Sequence, residues 1–377
     1  MGSLGHIIGY AMGAVDLIGH FGTTLGDTQF KQLTVIAALG IMITSAITCW
    51  AVSERVLVSV REDPRRAKGR FKVFRQIWST LLTLPPRIRG ICNSVFWAWI
   101  AWFPFLVYSS TWVGEMYFRH EVPEGARETH DALGDMGRIG STALTVYSTV
   151  TFISAWTMPI LIRTPDHGSF TRRPPAMIAG WLEILDKVKP DLLTAWIISH
   201  LVFAGAMFLT PFASSIRSAT LIVAFCGIPW SFAQWAPTTF LGIEVNKLSG
   251  ASHPSIDSAN GSASYRRLSD GSSIELRDTR LDRDDVEAGA VGATGELSGV
   301  YFGIMNIFTT IPQFIATFMS TIIFSVLEPG KSPELAEDAR PGEQSDPDGP
   351  NAIAVCMFIG AISAVAAAWQ TSKLKRM

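Results

Sequence analysis

The sequence predicts an all-α protein that crosses a membrane eight times. Three observations carry this. Charged residues fill 17% of the 377 positions, against about 25% in soluble domains. They are absent from Gln32–Ser53, Gly90–Gly114, Ile139–Ile162, Leu192–Ile216, Ser218–Ile243, Leu297–Leu327 and Gly349–Ser372, while Met1–Gly26 carries only Asp16. The basic residues are also divided unevenly between alternate loops. A hydrocarbon core ~30 Å thick needs about 20 apolar residues of helix. Lipid cannot satisfy backbone N–H and C=O groups, so such stretches must be helical; barrel strands would be shorter and would alternate in polarity.

Orientation follows from that uneven division. Loops 54–89, 163–191 and 244–296 and the tail 373–376 hold 24 of the 31 Lys and Arg residues, and the opposite set holds 7. The basic set faces the cytoplasm, which puts both termini there. Loop 244–296 is a weak voter because long loops cross largely regardless of charge; without it the count is 18 against 7. The outer loops 115–138 and 328–348 are acidic. The sequon Asn260-Gly261-Ser262 falls on the inner side and is expected to be unmodified.

The elements follow in chain order. Met1–Gly22 has no basic region ahead of its apolar run, so it reads as a span and not as a cleaved signal peptide. A short outer turn, Thr23–Gln32, leads to the second span. The connector 58–87 is basic, and Phe71, Phe74, Ile77, Trp78, Leu81 and Leu82 recur at helical spacing within it. It reads either as an amphipathic helix on the anionic inner leaflet or as a plain positive-inside connector. Another short amphipathic piece surrounds Trp181, Leu182 and Leu185. The segment 245–296, rich in Ser, Gly, Ala, Asp and Arg and nearly free of aromatics, is expected to be disordered. Within it Arg266-Arg267-Leu268-Ser269 would suit a basic-directed kinase, a pattern also common by chance.

Few function classes survive. The near balance of 31 basic and 32 acidic residues gives no reason to expect a nucleic-acid partner. No Walker loop, zinc signature or nucleophile elbow appears, so neither an enzyme nor a cofactor is expected. The four cysteines, Cys49, Cys92, Cys226 and Cys356, lie in separate spans and form no disulfide or metal framework.

Asp16 is the sharpest signal, because an acid inside a span costs about 2.5–3.5 kcal/mol on insertion scales. Gly9, Gly13 and His20 share its helical face, and Gly5, Gly9 and Gly13 form a row that lets another helix approach. Asp16 is therefore expected to face a bundle, where it and His20 could take up and release a proton; a static hydrogen-bonded acid is the alternative. Trp97, Trp99, Trp102, Phe103, Phe105, Tyr108 and Trp112 crowd one span, and Trp230, Gln234 and Trp235 another. Such mixtures suit sugar binding, although aromatics in spans are more often packing or interfacial anchors. Pro104, Gly227, Pro229, Pro237 and Pro312 are candidate hinges or simple kinks. Asn93, His200, Asn306 and Gln313 are candidates to line a cavity. Asn306 and Gln313, seven residues apart on one face, are the best pair.

The run Gly227-Ile228-Pro229-Trp230, then Trp235-Ala236-Pro237 and Gly242-Ile243-Glu244, resembles the tenth helix of fungal sucrose and α-glucoside proton symporters. These belong to the glycoside–pentoside–hexuronide branch of the major facilitator superfamily and are related to plant sucrose carriers. Ala101-Trp102-Phe103-Pro104-Phe105 through Thr111-Trp112-Val113-Gly114-Glu115 resembles the seventh helix, and Ile311-Pro312-Gln313-Phe314 the eleventh. Gly9-Tyr10 through Gly13-Ala14-Val15-Asp16, followed by Gly26-Asp27-Thr28-Gln29-Phe30, resembles the fifth helix and its outer turn.

The resemblance implies a major-facilitator-type, N-terminally truncated fold. Residues 1–57 would be the last two helices of an N-terminal bundle and 88–377 a complete six-helix C-terminal bundle. A gene-model fragment or a natural short form would account for the missing helices. The implied function is proton-coupled symport of sucrose or a related α-glucoside, by alternating access, across a membrane expected to be the plasma membrane. Asp16 and His20 would couple the proton; Gln234, Trp235, Asn306 and Gln313 would line the sugar path. Glu115 and Glu244, at span ends, would serve gates, or would be no more than exposed end-of-helix charges. A non-transporting membrane protein or regulatory partner of a full-length carrier is the other reading.

Overall fold

The computed structural model describes residues 2–52, 72–121, 132–163, 189–250, 284–327 and 351–377. Within them the ordered elements are helical. Seven stretches are long and apolar enough to cross a membrane: Gln29–Ala51, Pro86–His120, Gly134–Leu161, Leu192–Phe212, Ile216–Leu248, Ser298–Leu327 and Ala352–Arg376. These correspond to the second through eighth predicted spans. The first predicted span is helical but interrupted: α1 (Gly2–Ala14) stops before Asp16, and α2 (Leu17–Phe21) starts after it. After a short turn comes α3 (Gln29–Ala51), capped by the Thr28 side chain, which accepts from the Lys31 N–H.

In the basic connector the chain is helical as α4 (Lys72–Leu82), with Ile77 and Leu81 packed on the bundle and Trp78 and Leu82 exposed. Six spans follow. α5 (Pro86–His120) opens with proline in its first turn, where the missing N–H costs nothing. At 35 residues and ~1.5 Å per residue it is longer than the hydrocarbon core is thick. α6 (Ala132–Leu161) returns. α7 (Leu192–Phe208) starts from an Asp191 cap and ends in a 3-10 turn, Thr210–Phe212. Burial pushes the Asp191 carboxyl up, but hydrogen bonds from Thr194 and the charge of Lys375 outweigh it and hold the group below its ordinary value. A Ser215–Ser218 capping box starts α8 (Ile216–Phe225), which continues past Cys226 as α9 (Gly227–Gly250) in one bent span. α10 (Asp284–Leu327) and α11 (Ala352–Lys373) complete the chain.

Two boundaries differ from expectation. α9 runs to Gly250 and α10 begins at Asp284, so helix enters both ends of the segment 245–296 predicted to lack structure. The predicted amphipathic piece at Trp181–Leu185, the Asn260 sequon and Arg266–Ser269 lie outside the described residues.

The bundle core is aromatic and small-residue packing. α5 lies along α11, α10 and α6; α7 packs on α11. Trp102 stacks on Phe203 with ring centroids 3.7 Å apart and tilts against Trp230 at 4.8 Å. Trp102, Phe105, Trp112 and Phe203 are fully enclosed, so these aromatics are packing residues, held by close van der Waals contact between helices. Small residues on α11 admit α5: an added Cβ at Gly360 would lie 3.3 Å from the Ala101 carbonyl oxygen. Polar contacts fix the register, with Ser363 Oγ donating to the Trp97 carbonyl at 2.7 Å and Ser94 bonded to Thr371 at 2.6 Å. α1 joins this bundle by packing on α6, and α3 also touches α6.

Candidate functional site

The break in the first predicted span is built from three side chains. Asp16 is the cap of α2; its carboxylate accepts from the Gly19 N–H at 3.1 Å. Aspartate is among the strongest helix caps, because its oxygen satisfies an otherwise orphaned N–H. Gln29, at the start of α3, serves both sides of the break: its Oε1 accepts from the Leu17 N–H at 3.0 Å, and its Nε2 donates to the Val15 carbonyl at 2.6 Å. Gln32, fully enclosed, donates to the Gly26 carbonyl at 2.8 Å. Gly22 and Gly26 take positive φ of 58° and 143°, which the turn between α2 and α3 requires.

This corrects the expected setting of Asp16. It does not face a bundle from the middle of a helix; its side chain is 52% exposed, with the Arg138 guanidinium of α6 at 3.8 Å. Arg138 also reaches Asp135 at 3.7 Å. His20 meets the Asp16 main-chain carbonyl through Nδ1 at 2.7 Å, not the carboxylate. Of the glycine row only Gly13 meets a neighbour: an added Cβ would lie 2.6 Å from Ser141 Oγ, whereas Gly5 and Gly9 have nothing within 4 Å.

The two candidate gate residues sit at opposite ends of α5, and neither is an exposed charge. Glu115 accepts from Arg119 Nε at 2.7 Å, the pair being 14% and 8% exposed. Glu244 on α9 accepts from Arg87 of α5 at 2.9 Å and from Lys247 at 3.0 Å. Both ion pairs lie within the six-helix bundle.

The sugar-path candidates fall on two helices. On α9, Gln234 is exposed and Trp235 is half-buried, stacked on Phe232 with centroids 5.7 Å apart. On α10, Asn306 is exposed and accepts from Thr309 Oγ1 at 3.3 Å, while Gln313 donates to the Thr309 carbonyl at 3.1 Å. Thr310 and Thr317 are exposed and continue the row Asn306, Thr310, Gln313, Thr317 at spacings of four, three and four, the period of one helix face. Each threonine hydroxyl donates back to the carbonyl four residues earlier, at 2.9 and 2.8 Å, and so turns its remaining lone pairs outward. No hydrogen bond joins Gln234 or Trp235 to Asn306 or Gln313 among the described residues. His200 is enclosed beside Trp196, its Nε2 unpartnered, and Asn93 is half-buried.

The candidate hinges separate as well. Pro104, Pro237 and Pro312 lie inside continuous helices. Gly227 lies against α6, where a Cβ would come 2.6 Å from the Tyr147 carbonyl oxygen. Its role is therefore close packing. Sequence reasoning assigned nothing to Gln29, Gln32, Arg138, Thr310 or Thr317; two glutamines entering an apolar span just after an intramembrane acid were the available signal.

No protein-family model matches the chain. A general alpha-glucoside permease of Schizosaccharomyces pombe is 26% identical over 422 aligned residues, covering 98% of this chain and 65% of the permease. A sucrose transport protein of Arabidopsis thaliana is 24% identical over 257 residues, covering 65% of this chain and 48% of that protein. A sucrose transport protein of Oryza sativa is 26% identical over 135 residues, 36% of this chain and 25% of its own length. The chain thus spans just under two thirds of the length of the first relative and less of the others.

Proposed function

We propose that the protein moves a sugar, sucrose or a related α-glucoside, across a membrane together with a proton, as a major-facilitator-type carrier. The observation that carries this reading is the similarity to an alpha-glucoside permease along 98% of the chain. The sucrose transport proteins, matched over smaller parts, give the same substrate class. In the layout of such carriers, α1 to α3 correspond to the end of an N-terminal bundle and α5 to α11 to the C-terminal one. Sugar crosses by alternating access, in which one bundle rocks against the other around a site near the midplane. The plasma membrane is the assigned location, with both termini cytoplasmic.

The side chains take the following roles. Asn306, Gln313 and Gln234 offer amide donors and acceptors to sugar hydroxyls, and Trp235 an apolar face. Asp16 accepts the proton, and His20, bonded to its main chain, holds the local turn in place. Glu115 and Glu244 serve gates near the two ends of α5; losing Arg87 would untie α5 from α9 there, whereas Arg119 holds Glu115 within α5 itself. The test is uptake of radiolabelled sucrose into proteoliposomes holding the purified chain, with maltose and other α-glucosides as competitors. Saturable uptake that α-glucosides inhibit and hexoses do not is the expected result. A folded sample that carries none of these sugars would overturn the reading.

A further inference from the structure

The helix α4 carries two apolar stripes, and the bundle uses one of them. Ile77 and Leu81 pack on the cluster that includes Leu84, Ile88 and Tyr301, which sets α4 against α10. One position further round the helix, Trp78 and Leu82, also four residues apart, are 55% and 69% exposed. Arg75, three residues before Trp78 and exposed as well, extends this outer stripe. Facing water, a stripe of tryptophan and leucine is an aggregation liability. Facing a membrane surface, it is an anchor.

What covers the outer stripe follows from its surroundings. Only Thr83, Leu84 and Pro85 separate α4 from α5, a membrane-spanning helix. A link that short reaches at most ~14 Å, so α4 is held close to the membrane surface. The charge there has one sign: from Pro64 to Gly114 the chain has eight basic residues and no acid. Arg87 is taken up by Glu244, but Arg75 forms no ion pair among the described residues. Other exposed tryptophans mark the same level. Trp50 closes α3 beside the same connector. Trp369 lies near the end of α11, 60% exposed, with the Lys373 ammonium 3.3 Å over its ring. That end adjoins the start of α5, since a Cβ added at Gly90 would fall 2.6 Å from Leu374 Cδ2. Tryptophan gathers where hydrocarbon gives way to headgroups, and lysine stems reach toward them.

We propose that the outer stripe of α4 is a docking surface for anionic lipid. The helix lies along the membrane, with Trp78 and Leu82 sunk among the headgroups and Arg75 drawn to their phosphates and carboxylates. The charge of the basic run before Arg75 adds to the attraction. The leaflet concerned is the one that the basic loops face, the cytoplasmic one in the orientation given above. Binding needs neither sugar nor a proton, so it is a property separate from transport.

The test uses the whole chain in lipid nanodiscs, in a Cys49→Ser background, with Leu82→Cys carrying a fluorophore that brightens in apolar surroundings. The three other cysteines are buried. Discs are made of phosphatidylcholine alone or with rising proportions of phosphatidylserine. The fluorophore should be open to the aqueous quencher acrylamide in phosphatidylcholine and become shielded as phosphatidylserine is added. Arg75→Gln should raise the proportion needed several-fold, and added salt should expose the fluorophore again. The salt arm needs no substitution, so a folding defect in Arg75→Gln leaves the test standing. Equal shielding in all discs would mean that protein or uncharged lipid covers the stripe, and equal exposure that nothing does. Either result would overturn the proposal, as would shielding that salt and Arg75→Gln leave unchanged. A nanodisc offers both leaflets and the readout needs no sugar flux, so failure here is distinct from failure of the orientation or of the transport reading.

Discussion

Gln29 holds two main-chain groups that the break in the first span sets free, an N–H on one side and a carbonyl on the other. Replacing it with alanine frees the Val15 carbonyl and leaves the Leu17 N–H, at a fully buried residue, without a partner, which costs about 1–3 kcal/mol for a buried group. Gln29→Ala should therefore lower the thermal unfolding midpoint of the detergent-purified protein. Gln29→Glu, which keeps the acceptor but loses the donor, should fall between it and the parent. A midpoint unchanged by Gln29→Ala would mean that the break holds itself open. The break itself was not legible in the sequence. Asp16 stands in an apolar run that reads as one helix, and the group that makes its capping role affordable to the backbone lies twelve residues further on, in the next span. Arg138 was hidden for a related reason: counted as a loop charge, it gave no sign of the acid it faces.

At the scale of helices, composition decides much more. The seven spans after the first follow from charge-free runs, since a membrane leaves helix as the form for such a run. Which side chains face one another is a different matter. Arg87 and Glu244 pair across 157 positions, a distance at which sequence pattern carries no information about contact. Gly227 illustrates the same limit, because a glycine beside a proline reads as a hinge until α6 is seen against it. Gly227→Ala would push a Cβ to 2.6 Å from a backbone oxygen, and overpacking of this kind costs typically ~1–3 kcal/mol. The expected outcome is a lower unfolding midpoint and less folded protein in membranes. A hinge glycine would instead alter transport rate at unchanged stability. The tryptophans on α5 follow the same logic: Trp102 and Trp112 are walled in by neighbouring rings and small residues, which is why the proposed sugar path uses the more exposed polar face of α10.

In the molecule as a whole, the pair α1 and α3 meets the six-helix bundle along α6, and the proposed chemistry lies at that seam and on α10. Gly13 against Ser141 and Asp16 beside Arg138 make the seam antiparallel. This agrees with the alternation expected from the loop charges, since α1 and α6 are predicted to cross in opposite directions. In the proposed reading, sugar recognition on the amides of α10 and proton coupling at Asp16 occupy separate places. The most direct test of that central claim is sugar-driven proton entry. Proteoliposomes enclosing a pH-sensitive dye are given sucrose or an α-glucoside from outside, with no imposed gradient. The expected result is internal acidification that depends on the sugar and is abolished in Asp16→Asn at similar protein abundance. Sugar entry with no acidification in the parent, or undiminished acidification in Asp16→Asn, would contradict it.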